Sequence, residues 1–214
     1  MQTLLQDIRY GSRMLRTAPG FALVAILALA LGIGANTAVF SIINGVLLKP
    51  LEYHDSDRLV SLWEKWGNAD KASVAYPNFK DWSEQNRSFD GMAAYRHSGF
   101  NLTGSDHPDR VHGAQISAGF LSVLGVSPAL GRDFGPDDDQ PGATLTTIIA
   151  DHLWSTHFGR DPSVVGRTIN LNEETYQIIG VLPADFHFFQ DLDLVVPIAA
   201  KKSGILDHRN WHPG

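Results

Sequence analysis

The chain has no cysteine in 214 residues. That absence excludes disulfide staples and thiolate metal sites, whatever the redox state of its compartment. A second absence is positional. From Phe21 to Leu48 there is no Asp, Glu, Lys, Arg or His, although charged residues make up 19% of the whole. Arg16 and Lys49 are the nearest charges on either side. Catalytic signatures are missing too: no G-x-x-x-x-G-K-[ST] loop to cradle ATP phosphates, no H-E-x-x-H zinc helix and no G-x-S-x-G elbow. Cations are few, 17 Lys+Arg against 23 Asp+Glu, for a net charge of −6. After residue 48 the balance is 14 against 22. An acidic surface of that kind is a poor match for nucleic-acid phosphates.

The charge-free run FALVAILALALGIGANTAVFSIINGVLL fills 28 positions, where about 20 apolar residues suffice to cross a bilayer. As a helix it would span roughly 42 Å at about 1.5 Å per residue. The hydrocarbon core is about 30 Å thick, so the helix is expected to tilt or protrude. The competing reading is a cleaved secretory signal. Signal cores run roughly 7–15 residues and end at a small-residue cleavage site. This run is about twice as long and ends in Leu47-Leu48-Lys49-Pro50. Ala28-Leu29-Ala30 fits the cleavage pattern but lies deep inside it. A retained transmembrane helix over 21–48 is the better reading.

Residues 1–20 carry Arg9, Arg13 and Arg16 against Asp7, and such an excess of basic residues marks the cytoplasmic side. On a 3.6-residue period Leu4, Ile8 and Leu15 share one face, roughly opposite the three arginines. That pattern predicts an amphipathic helix in the cytoplasmic interface, its arginines toward lipid headgroups. The alternative is a frayed tail whose arginines only set topology. Pro19-Gly20 is expected to break this helix before the spanning one. Within the span, Gly34, Ala38, Ser41 and Gly45 follow i, i+4, i+7, i+11, a stripe through which helices approach closely in lipid. Asn36 and Asn44 carry amides that are costly against acyl chains, which also points to neighbouring helices.

The remaining 166 residues, 49–214, are enough to bury a core without staples. Leu59–Glu64 alternates like a strand, and Pro77 opens a helix over NFKDWSEQ. Strands are expected at RVHGAQISA, TLTTIIA, Thr168–Leu171, Thr175–Val181 and Leu192–Val196. The third and fourth predicted elements of that series form a hairpin turning at Asn172-Glu173-Glu174. Gly125 would close a short helix GFLSVLG, and Asp151 would cap HLWSTHF, which Gly159 ends. Pro128–Pro141 reads as an acidic loop. Short strands alternating with short helices argue α+β.

Candidate chemistry is sparse. His152 and His157 are five apart on one short helix, the wrong spacing for paired zinc ligands. His208 and His212 precede Pro213-Gly214. Asp137-Asp138-Asp139 lacks the calcium-loop spacing and its distal Glu, so a solvated loop is expected. Asn86-Arg87-Ser88 and Asn101-Leu102-Thr103 match the short glycosylation pattern. No catalytic, metal-binding or cofactor-binding residue is assigned.

The blocks QDIRYGSRMLRTAPGF, LALALGIGANTAVFSIINGVLLKPL, SVAYPNFKDW, QNRSFDGMAAY, GFLSVLGVSPALGRDF, FGRDPSVVGRTINLN and IIGVLPADFHF stand in one order. Together they resemble the MacB/FtsX-type ABC transporter permeases, in particular the acidobacterial duplicated permeases with a MacB-like periplasmic core domain. The resemblance implies a protein of the bacterial inner membrane, with its N-terminus cytoplasmic and its main domain periplasmic. The domain is expected to join a porter-like α/β part to an inserted β-rich part near Pro128–Pro197. Implied partners are membrane lipid, further transmembrane helices, a separate ATP-binding subunit and a second copy in a homodimer. The implied function is transmission of ATPase work for efflux or extraction of a substrate. In this reading the chain is an N-terminal portion, stopping before the later helices. A single-pass anchored binding or sensing module is the alternative, and a tethered hydrolase is third.

Overall fold

The computed structural model describes residues 10–43 except 12, 14 and 15, then 53, 55–103, 109–188, 191–201 and 208–209. The chain divides into two compact units, Met1–Leu51 and Glu52–Gly214. The first contains helix α1, Pro19–Ile43. Residues 10, 11, 13, 16 and 17 are helical as well, and Ala18 is the interruption. The break thus falls one residue before the expected Pro19-Gly20. Pro19 opens α1, where its missing N–H costs nothing, and the Ala18 carbonyl accepts from Ala22 N–H at 3.1 Å.

The second unit is a mixed α+β fold. A hairpin of β1 (Glu64–Trp66) and β2 (Ala69–Ala72) forms a sheet of its own. Helix α2, Tyr76–Gln85, follows with proline in its first turn. Seven further strands make one sheet: β3 (Tyr95–Thr103), β4 (Asp109–Ile116), β5 (Leu130–Gly131), β6 (Thr146–Ile149), β7 (Thr168–Leu171), β8 (Glu174–Val181) and β9 (Leu194–Pro197). Helices α3 (Phe120–Val123) and α4 (Asp151–Phe158) lie between them in sequence.

The order is β5-β8-β6-β9-β4-β3-β7, with β7 also bonded to β8. Six strands therefore close a ring, β8-β6-β9-β4-β3-β7, and β5 hangs from the far half of β8. Pairs β6–β8 and β4–β9 are parallel and the rest antiparallel. The stretch from Pro128 to Pro197 supplies five of these seven strands, hydrogen-bonded into the same sheet as β3 and β4.

Alternation divides the apolar side chains between two cores. Phe100, Leu102, Val111, Ile169, Leu171, Tyr176, Ile178 and Leu194 form one, joined by Leu153 of α4. Ala114, Ile116, Ile148, Ile179 and Val195 form the other, with Phe120, Leu121 and Leu124 from the α3 segment. Adjacent residues Ile178 and Ile179 go to different cores, while a register shift between β6 and β8 lets Val181 rejoin the first. Gly131 stands at φ +80°, where a Cβ would overlap the Ile179 carbonyl oxygen. Only glycine allows β5 to approach β8 so closely.

Local chemistry explains most boundaries. The α3 segment ends in a Schellman turn: Val126 N–H donates to Leu121 O at 2.8 Å and Gly125 N–H to Ser122 O at 3.0 Å. Gly125 takes the left-handed φ of +68° that this turn requires. The β7–β8 turn is two residues rather than three, with Asn172 at φ +51° and Glu173 at +68°. Glu174 already belongs to β8. Two left-handed residues are what a type I′ hairpin needs, and asparagine tolerates the conformation better than glutamate. The expected strand at Leu59–Glu64 is corrected as well. Residues 59–63 are not paired, and β1 starts at Glu64, where the Gly67-Asn68 turn brings β2 alongside.

Candidate functional site

Helix α1 has 25 residues, about 37 Å at 1.5 Å per residue, enough to cross a hydrocarbon core of about 30 Å. Its stretch Pro19–Ser41 meets the length and composition of a membrane span, and none of it is buried within the structure. Leu31 is 74% exposed and Phe21 72%. Side chains this apolar need a non-aqueous surrounding, and among the described residues none covers them.

Gly34, Ala38 and Ser41 all lie on described, exposed helix, and a Cβ added at Gly34 would meet nothing within 4 Å. Gly45, the fourth residue of the stripe, falls outside the described residues. Of the flanking arginines, Arg13 and Arg16 are helical and exposed, and Arg9 is outside the described residues. The Thr17 hydroxyl donates to the Arg13 carbonyl at 3.2 Å, continuing the turn toward Ala18.

In the outer unit the acidic triplet is structured where a solvated loop was expected. Asp138 accepts a two-pronged contact from Arg132, Nη1 to Oδ2 at 2.5 Å and Nη2 to Oδ1 at 2.9 Å, with Gly135 N–H at 2.8 Å. The Arg132 hydrogen bonds hold its carboxyl below the usual range, opposed by partial burial. Asp139 does something different. Its two oxygens accept from Ala199 N–H at 2.7 Å and Ala118 N–H at 2.9 Å, tying the segment after β9 to the segment after β4. Burial raises its carboxyl above the usual range despite these donors. The Tyr76 hydroxyl of α2 is raised too, by burial first and then by the negative charge of Asp139. Asp138 thus braces the loop, and Asp139 is a clasp that joins the segments after β4 and β9.

Asp151 is also corrected. The N-cap of α4 is Ala150, which offers no side-chain bond, and Asp151 is the first helical residue. Its carboxylate takes Arg160 Nη2 at 2.5 Å, closing the helix from beyond Gly159.

A cavity of about 230 Å³ opens between the α3 turn and the segment after β8, lined by Tyr53, Val126, Pro183, Asp185, Phe186 and His187. Tyr53 donates its hydroxyl to the His187 carbonyl, and burial pushes its pKa up to about 12. Among the described residues no three His, Asp or Glu side chains converge to hold a metal ion. His157 lies 3.0 Å from Thr156 Oγ1 and 3.9 Å from Asp109, and His187 lies 3.7 Å from Asp191. These are pairwise surface contacts. The features that stand out are an uncovered apolar helix and a cross-tied α+β domain.

The sequence profile of the MacB-like periplasmic core domain matches residues 22–211, taking in most of α1 and the whole described outer unit. The chain belongs to that family. Among solved structures, the periplasmic region of MacB from Actinobacillus actinomycetemcomitans is similar at 16% identity and a TM-score of 0.50, covering 61% of this chain and 57% of that one. The extracellular domain of the noncanonic ABC-type transporter YknZ from Gram-positive bacteria is 20% identical, covering 50% of this chain and 53% of that one, with a TM-score of 0.41. A domain from Porphyromonas gingivalis, described as part of a permease, is 18% identical, covering 59% and 54%, also with a TM-score of 0.41. The chain thus spans a little over half the length of these structures. No curated protein matches it. At this identity the MacB structure speaks for the fold alone.

Sequence reasoning missed the Asp139 clasp and the separate β1–β2 hairpin. The clasp gave no local signal, since its partners lie 21 and 60 residues away. The hairpin did: Gly67-Asn68 between two charged, alternating runs is a turn signature.

Proposed function

We propose that the chain is the N-terminal portion of an ABC transporter permease subunit in a bacterial inner membrane. In this reading α1 crosses the bilayer, residues 1–20 lie along the cytoplasmic face, and the unit from Glu52 onward works in the periplasm. Arg13 and Arg16 meet anionic headgroups. Gly34, Ala38 and Ser41 let further transmembrane helices pack against α1. A separate ATP-binding subunit on the cytoplasmic side supplies the work of efflux or extraction, and the helices carry it to the outer domain.

The observation that supports this best is the continuity of the family match, which begins at residue 22 inside α1 and runs through the outer unit to residue 211. That continuity favours helix and domain as one inherited arrangement over a domain behind an unrelated leader. The outer domain suits mechanical transmission. Its sheet closes on itself, leaving few free edges to fray, and the Asp139 clasp ties remote segments. Alkaline phosphatase fused after residue 100 tests the arrangement. High activity in intact cells is expected, because that enzyme folds only outside the cytoplasm; an inactive fusion of normal abundance would reverse the orientation.

A further inference from the structure

The ring of strands closes between β3 and β7 over only Leu102 and Thr103. Past that point β7 turns into β8, and β3 runs back to Tyr95 with β4 as its one strand neighbour. The next strand pair over shows where the backbone groups of β3 point. His112 N–H donates to Asp193 Oδ2 at 2.8 Å and the His112 carbonyl accepts from Asp193 N–H at 2.7 Å, so both face away from β3. Gly99, which stands opposite His112, therefore directs its own N–H and carbonyl away from β4, as does His97 two residues earlier. Asn101, two residues later, has a substitute partner in Asn172. The Asn172 side-chain oxygen accepts from Asn101 N–H and Asn172 N–H donates to Asn101 O, each at 2.9 Å. Among the described residues nothing does the same for His97 and Gly99, and both are exposed. Their four backbone groups form an open strand edge, the kind on which another chain can pair.

We propose that the β3 edge at His97–Gly99 docks an extended acidic segment of a partner protein by strand addition. Charge selects the occupant. On the exposed face beside the edge, Arg110 and His112 of β4 join His97 around a groove of about 270 Å³, lined also by Gly99, Gly113 and Leu192. The Arg110 guanidinium lies across Gly99, where an added Cβ would meet its Nη2 at 3.4 Å and its Nε at 3.5 Å. Among the described residues no carboxylate pairs with Arg110, and the acids next to these residues in sequence are otherwise engaged. Asp193 takes the His112 N–H, and Asp109 lies 3.9 Å from His157. An arginine left without a carboxylate stands out in so acidic a domain. A strand added at this edge presents every second side chain to that face. Carboxylates there would meet the guanidinium and the two imidazoles. Main-chain bonds to His97 and Gly99 supply affinity, and the alternate acidic side chains supply specificity.

The test uses the full chain in dodecyl maltoside micelles and the probe peptide fluorescein-Glu-Val-Glu-Val-Glu-amide. Saturable binding is expected, with amide hydrogen exchange slowed across residues 97–99. Methylating the peptide's backbone nitrogens removes its strand donors and keeps every charge, and should abolish binding. Replacing its glutamates by lysine should weaken binding severalfold, as should Arg110→Ser in the protein. His97→Pro should weaken it too, since proline is tolerated on a strand whose N–H faces outward but offers no donor there. Absence of saturable binding overturns the proposal. So does equal binding of the methylated or the lysine peptide, or an affinity unchanged by Arg110→Ser. Slow exchange at 97–99 before any peptide is added would mean an edge already paired, to a second copy or to another stretch of this protein, and overturns it as well. None of these outcomes depends on whether α1 crosses a membrane.

Discussion

The two units of this protein handle apolar side chains in opposite ways. In α1 every described side chain is exposed or nearly so, and no charge interrupts the helix. In β6 and β9 all eight residues are buried, packed against strands from both sides. The outer unit satisfies its greasy groups internally; α1 leaves its own to the surroundings. The same hydrophobic effect thus yields a packed core in one case and, in the other, an apolar helix of membrane-spanning length that no described residue covers.

A matched pair of truncations would break this comparison most sharply. Ile178→Ala, at a fully buried site, should cost about 2–5 kcal/mol of outer-domain stability, read by urea denaturation. Leu29→Ala in α1 should leave that transition unmoved. Equal losses from the two would mean that α1 is part of the domain's core.

The Arg132–Asp138 contact gives a smaller, pH-dependent effect. The folded Asp138 carboxyl lies below its unfolded value, so its stabilisation is present above the ordinary carboxylate range. It fades as pH falls through the lowered folded value. Asp138→Asn should therefore cost about 1 kcal/mol near neutrality, as expected of a half-exposed pair, and almost nothing at strongly acid pH. Asp139 runs the other way: its raised carboxyl favours the folded state as acid protonates it. Comparing denaturation midpoints of the two Asp→Asn variants across pH separates them by sign.

The smallest effect is a gain. Glu173 occupies a left-handed conformation, and glycine there should stabilise the hairpin by about 0.5–1 kcal/mol, the relief of strain exceeding the added chain entropy. A lower melting temperature for Glu173→Gly would show that the glutamate makes a compensating contact.

Much of this fold was legible because it is written locally. Strands β7, β8 and β9 could be placed from short local runs, and Pro77, Gly125 and Gly159 marked helix ends, because each acts within a turn of its own position. The family likewise showed in ordered blocks spread along the chain. What escaped was set by distance. Asp151 has the residue type of a cap, but Arg160 claims its carboxylate. Asp139 looks like one of three solvated acids until the ends of β4 and β9 arrive beside it. The alternation at Leu59–Glu64 looked like a strand, but a strand also needs a partner, and β2 reaches only as far as Glu64. Of the site residues, Gly34, Ala38 and Ser41 could be placed on one helix from spacing alone, whereas the helices that would fill their stripe belong to no part of this chain.

The most direct test of the account is the state of the native protein in its own membranes. Membranes washed with alkaline carbonate should retain it, and mass spectrometry of the retained protein should find peptides from residues 21–48 still joined to the outer domain. A protein released by the wash, with a mature terminus just beyond Leu48, would contradict it.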